Sequence, residues 1–125
     1  MQPAEVVREL WRRIEARDWD GVGELLADDL VLDWPETGER IRGRENFVEF
    51  NRNYPEGWSI EVQQILADGN RVASEIRVPH TELGLHWAAS FFEVEDGRIA
   101  RGTEYWVAQS KEPPPAWRAQ WVEAL

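Results

Sequence analysis

The stretch His86-Trp-Ala-Ala-Ser-Phe-Phe-Glu-Val-Glu-Asp-Gly-Arg-Ile-Ala-Arg-Gly-Thr-Glu-Tyr-Trp-Val107 sets two runs rich in aromatic and β-branched residues on either side of Glu95-Asp96-Gly97. A glycine supplying positive φ between such runs signals an antiparallel hairpin. Its register decides which side chains share a face, because a slip of one residue turns a strand over. A three-residue loop with Gly97 left-handed pairs Val94 with Arg98, Ser90 with Gly102, Ala88 with Glu104 and His86 with Trp106. That register gathers small residues around His86 and Glu104 and leaves room for a ligand. The opposite face then carries Trp87, Ala89, Phe91, Ile99, Thr103, Tyr105 and Val107, with Arg101 as its charge. A two-residue turn would instead put Trp87, Ala89 and Phe91 on the face of Glu104 and Trp106.

At 125 residues and 42% apolar content, with eight Trp, the chain can bury one core, and a single domain over 1–125 is expected. There is no Cys, hence no disulfide, thiol nucleophile or thiolate metal site. A net charge of −10 opposes the basic footprint that nucleic acid requires. The start Met1-Gln-Pro-Ala-Glu lacks the pattern of a signal peptide, and no apolar run is long enough for a membrane span. A cytoplasmic protein with no nucleic-acid or membrane partner is the expectation.

Val6, Val7, Leu10, Trp11 and Ile14 at helical spacing predict a helix over 3–17, and Trp19 to Leu26 predicts a second, ending near Ala27-Asp28-Asp29. Leu30 to Trp34 reads as a short strand stopped by Pro35, 36–43 as a polar loop, and 44–54 as a third helix closed by Pro55. Trp58 to Leu66 and Arg71 to Val78 read as strands around Asp68-Gly-Asn, leading into the hairpin. The core spans about 4–108. Residues 111–125 are read as a Pro-rich connector and a C-terminal helix bearing Trp117, Gln120, Trp121 and Leu125. Helices first and a meander afterwards make an α+β fold, a curved antiparallel sheet wrapped on N-terminal helices.

With that order, the sequence resembles the nuclear transport factor 2-like superfamily, an α+β roll with a cone-shaped sheet, and within it the SnoaL-like branch. The resemblance is carried by Ala16-Arg-Asp-Trp-Asp-Gly21, Leu25 to Pro35, Arg42-Gly-Arg-Glu-Asn-Phe47, Glu95 to Ile99 and Glu104-Tyr-Trp106. It implies an apolar pocket closed by helices and a homodimer through the outer sheet face, here Trp87, Phe91, Arg101 and Tyr105. The C-terminal helix covering that face is the alternative. Ketosteroid isomerases of this fold use an Asp before the strand-ending proline, a Tyr on the first helix and a protonated Asp on the hairpin. The matching positions here are Trp34, Leu10 and Ser90, so all three groups are missing. Limonene-type epoxide hydrolases match Thr103-Glu-Tyr-Trp106 and place an Asn near Asp33, but their middle-strand Arg and Asp fall near Ile76 and Val78. SnoaL-like cyclases use an acid on the last strand with a polar partner across the cavity, which the resemblance carries onto Glu104 and His86.

Glu104 as base, His86 as acid and Asp33 are therefore the catalytic candidates. Trp34, Phe47, Asn51, Tyr54, Ala88, Ser90, Phe92 and Trp106 are expected to bind a small apolar, ring-containing molecule. A carboxylate among such rings loses solvent, and its pKa rises. Plainer readings stay open: Glu104 as a structural carboxylate bonded to His86, Tyr54 or a backbone amide; His86 lining without chemistry; His80 solvated in a loop; Asp33 bridging the loop after it. Two His without a third ligand make no metal site, and no glycine-rich phosphate loop or Gly-x-Ser-x-Gly elbow occurs. Cofactor-free chemistry is expected, or else a non-catalytic ligand-binding or dimeric scaffold protein.

Overall fold

The computed structural model describes residues 1–125. Helices α1 (Pro3–Glu15) and α2 (Trp19–Glu24) lead into strands β1 (Leu26–Trp34) and β2 (Glu39–Arg42). Helix α3 (Arg44–Arg52) follows, then β3 (Glu61–Asp68), β4 (Arg71–Val78), β5 (His86–Glu95) and β6 (Arg98–Ala108). The six strands form one sheet in the order β2-β1-β6-β5-β4-β3, antiparallel except for the parallel pair β1 and β6.

The apolar positions of α1 (Val6, Val7, Leu10, Trp11 and Ile14) are all buried against the inner sheet face. Trp11 Nε1 donates to Ser74 Oγ of β4 at 3.0 Å, which fixes the helix across the sheet. Asp18 caps α2 by accepting from Gly21 N at 3.0 Å. Gly102 lies between the side chains of β1 and β5: a Cβ there would lie 2.7 Å from both Leu32 and Phe92, so a larger residue would push these core side chains aside.

Several expectations are corrected. Strand β1 begins at Leu26, because Leu26 pairs with Ile99 of β6 and the chain passes Asp28-Asp29 through an irregularity in the pairing instead of a turn. The polar loop at 36–43 contains β2, held to β1 by pairing and facing the core through Ile41 alone, which is too little alternation to read as a strand. The C-terminal helix is replaced by one 3₁₀ turn, Ala116–Arg118, after the three prolines. Trp117 and Trp121 are 74% and 70% exposed, so this arm covers no part of the sheet.

The hairpin register is also corrected. Asp96 (φ 51°) and Gly97 (φ 76°) are both left-handed, giving a two-residue turn with Glu95 opposite Arg98. The odd residue predicted for the loop lies in the strand instead, as a bulge at Ala100 between the pairs Val94–Ile99 and Glu93–Arg101. Beyond it Ser90 faces Glu104, Ala88 faces Trp106, and His86 faces Ala108. Before the bulge Ile99, expected on the outer face, is buried in the core; beyond it the predicted inner face of β6 is restored, with each partner on β5 shifted by two residues.

Candidate functional site

A cavity of about 270 Å³ lies between α1, α3 and the inner face of the sheet. Its size is near the lower end of the roughly 300–1,000 Å³ typical of small-molecule sites. Trp34, Phe50, Tyr54 and His80 form a continuous wall of rings, with successive centroids 4.7, 6.3 and 6.3 Å apart. Trp106, Trp58 and Trp11 complete the apolar lining.

Glu104 lines this cavity and is only 4% exposed. Its Oε2 accepts from Ser90 Oγ at 2.7 Å; its Oε1 accepts from Trp34 Nε1 at 3.1 Å and, at a longer 3.5 Å, from Trp106 Nε1. Burial pushes its carboxyl above the ordinary glutamate range, opposed by the hydrogen bonds from Ser90, Trp34 and Trp106. No basic side chain neutralises it. Both protonation states can be accommodated, since the Ser90 hydroxyl can donate to a carboxylate or accept from a carboxylic acid.

The structure brings Glu104 together with Trp34, Phe47, Asn51, Tyr54 and Trp106 around the cavity. Ala88, Ser90 and Phe92 are on the same sheet face but lie beneath it, in the core: Ser90 holds Glu104 from behind, and Phe92 packs on Trp11. His86 lines the cavity without reaching Glu104. Its Nδ1 is bonded to Gly84 O at 3.1 Å, and it stands four residues along β5 from Ser90, about 13 Å at strand spacing. The diagonal contact expected between His86 and Glu104 is thus removed by the bulge.

Asp33 does not reach the cavity. Alternation along β1 sends Leu32 and Trp34 inward and Asp33 to the outer face, where Arg40 Nε and Nη2 bond its two oxygens at 2.6 and 3.0 Å. The Arg40 guanidinium holds that carboxyl below the ordinary aspartate range. Of the open readings for Asp33, bridging is the one found.

His80, expected in solvent, is 7% exposed and lines the cavity. Its Nδ1 accepts from the Glu82 and Leu83 amides at 3.0 and 3.2 Å, so the proton is on Nε2, which donates to Pro55 O at 3.0 Å. Left-handed Gly57 (φ 123°) makes this loop possible, since a Cβ there would lie 2.5 Å from Thr81 Oγ1 and 2.8 Å from the His80 ring. Sequence reasoning also missed Trp11, Ile14, Phe50, Trp58, Ile60 and Val78 as lining residues. Helical spacing could have pointed to Trp11 and Ile14, although spacing does not separate a cavity wall from a core.

No group of three or more His, Asp or Glu converges as a metal site would require. No helix is long and apolar enough to cross a membrane.

Against known proteins, the SnoaL-like domain family model matches residues 7–102. Among solved structures, a candidate ketosteroid isomerase from Kribbella flavida DSM 17836 is 33% identical at a TM-score of 0.88, covering 99% of this chain and 90% of its own. An LEH-like epoxide hydrolase from M. tuberculosis is 28% identical (TM-score 0.72, 84% of this chain, 82% of its own). A candidate polyketide cyclase from Xanthomonas campestris pv. campestris is 25% identical (TM-score 0.67, 82% and 88%). No curated protein matches.

Proposed function

Because the chain belongs to the SnoaL-like domain family, whose fold it shares with isomerase-, cyclase- and epoxide-hydrolase-like proteins, we propose that it binds a small, ring-containing apolar molecule in the cavity over Glu104. In this reading Glu104 moves a proton to or from that molecule without a cofactor. The observation that carries the reading is a single carboxyl, buried under an aromatic wall and lining the cavity, with Trp34 and Trp106 N–H groups holding one of its oxygens. A base placed in this way and raised toward neutrality suits general acid–base chemistry, which typically contributes about 10²–10⁴ in rate. His86 is too far along β5 to share a proton with Glu104, so a proton donor, where one is needed, acts from another part of the lining.

The test is a thermal-shift panel of monocyclic and bicyclic ketones and epoxides, followed by deuterium exchange at the α-carbon of any ketone that binds. A ligand at 100 times its Kd adds about 2.7 kcal/mol of stability. Exchange catalysed by the wild type and lost in Glu104→Gln, with binding retained, is the expected result. Binding with no exchange in either protein would leave a ligand-binding scaffold, and a flat panel would overturn the reading altogether.

We also propose that a second copy covers the outer sheet face. Phe91, Tyr105 and Val107 are 53%, 46% and 58% exposed, Phe91 and Tyr105 pack edge to face at 6.2 Å, and the C-terminal arm leaves the face open. Charge in the middle of such a patch opposes burial, so Phe91→Glu is expected to convert a dimer into a monomer by light scattering, with the fold intact by circular dichroism. A wild-type protein that is monomeric at micromolar concentration would remove this proposal.

A further inference from the structure

The polar atoms around the cavity are unevenly matched. Asn51 Nδ2 donates to Phe47 O at 2.9 Å, which leaves Asn51 Oδ1 as an unused acceptor. His86 donates through Nδ1 to Gly84 O, so its Nε2 is an acceptor, while both nitrogens of His80 are engaged. The Trp34 and Trp106 N–H groups are spent on Glu104. Trp58 Nε1 lacks a partner, but it is itself sealed from the open space. The Tyr54 and Thr37 hydroxyls can play either part and Asn51 Nδ2 keeps a second N–H, but the charged groups a ligand meets are all acceptors: the carboxyls of Glu104 and, at the rim, Glu36 and Glu39.

No Lys or Arg lines the cavity. The nearby Arg17 stands over Trp58, 3.4 Å from its ring centre, and is bonded to Glu56 and to Trp58 O. The chain's net charge of −10 repels anions and draws cations to the mouth. A contiguous aromatic wall facing a carboxyl is the arrangement that holds organic ammonium groups, through cation–π attraction and a charge-assisted hydrogen bond.

We infer that the ligand of this cavity is an apolar ring bearing a protonated primary or secondary amine, its rings along Trp34, Phe50 and Tyr54 and its N–H groups on Glu104. The inference rests on the binding half of the proposed function and gives Glu104 a recognition role. Burial favours the protonated carboxyl in the empty site. Whatever proton the empty site holds on Glu104 leaves to the buffer when the ammonium arrives and the ligand keeps its own, so one carboxylate–ammonium pair forms. A carboxylate meets Glu104, Glu36 and Glu39 as like charge and is excluded, whereas an uncharged ketone or alcohol is held by the rings without the ion pair.

The test compares 1-naphthylmethylamine, 1-naphthalenemethanol and 1-naphthoate by isothermal titration near neutral pH. The amine is expected to bind the wild type about 10- to 100-fold more tightly than the alcohol, the range of one charge-assisted bond. The carboxylate is expected not to bind. Glu104→Gln should bring the amine down to the affinity that the alcohol has for the same variant. An alcohol that binds as tightly as the amine, or an amine preference that survives in Glu104→Gln, overturns the inference while the binding reading stands. If none of the three binds and the ketone and epoxide panel is also flat, both fall.

Discussion

Trp11→Ala is expected to destabilise the fold by about 3–5 kcal/mol, the range for deleting a large buried aromatic side chain. Trp11 is 4% exposed, packs on Phe92 at 6.3 Å, forms part of the cavity wall and ties α1 to β4 through Ser74. Its removal enlarges an existing void, and the helix loses its one side-chain hydrogen bond to the sheet's interior. Trp11→Phe keeps the packing and orphans the Ser74 hydroxyl, so a loss nearer 1 kcal/mol is expected. Urea denaturation of the three proteins checks both values. Equal stabilities would mean that α1 is anchored by its aliphatic residues alone.

At position 104 two substitutions should diverge, and the divergence should depend on pH. Glu104→Val removes the acceptor from the Trp34 and Trp106 N–H groups, at a cost of about 1–3 kcal/mol for each donor left dry and less where cavity water replaces the carboxyl. Glu104→Gln keeps an acceptor for the indoles and an amide for Ser90, and carries no charge to bury. Since the native carboxyl titrates above the unfolded one, near 4.5, the native state holds the extra proton between the two values. Stability from this group is therefore full below the unfolded value and is lost as pH rises through the native one. The wild type should lose stability relative to Glu104→Gln as pH rises from about 4.5 through the native value and then run parallel to it. Other titrating groups are common to both proteins and cancel in the difference. A difference that is flat, or that grows in favour of the wild type, would show that Glu104 is not desolvated.

The fold was legible because its signals are redundant. Helical spacing from Val6 to Ile14, the prolines after Trp34 and Tyr54, and the Asp-Gly turn each mark an element independently of the others. The site was legible only by face. Period-two alternation placed Glu104 and Trp106 together inward, but it does not fix which β5 residue stands opposite. A turn read as three residues and a turn of two plus a bulge give β6 the same inner set beyond Ala100, and they differ in whether Ala88 or Ser90 meets Glu104. His86 was misplaced for that reason. Asp33 was misplaced through an alternation that was present in the sequence, since Leu32 and Trp34 already claimed the inner side of β1. His80 was out of reach because its burial depends on the loop from Pro55 to Trp58 folding over it, and no local pattern encodes that contact.

The bulge at Ala100 has a bearing on how this scaffold can change over time. Because the extra residue already lies outside the ladder, losing its codon would leave Glu93 opposite Arg101 and the carboxyl still turned toward the helices. The same loss two or three codons downstream would rotate the strand, carry Tyr105 inward and leave the acid on the convex side. Length variation is thus permitted at the bulge and penalised between the bulge and the acid, and relatives that differ by a single gap can be sorted by where the gap falls into those that retain this chemistry and those that have exchanged it.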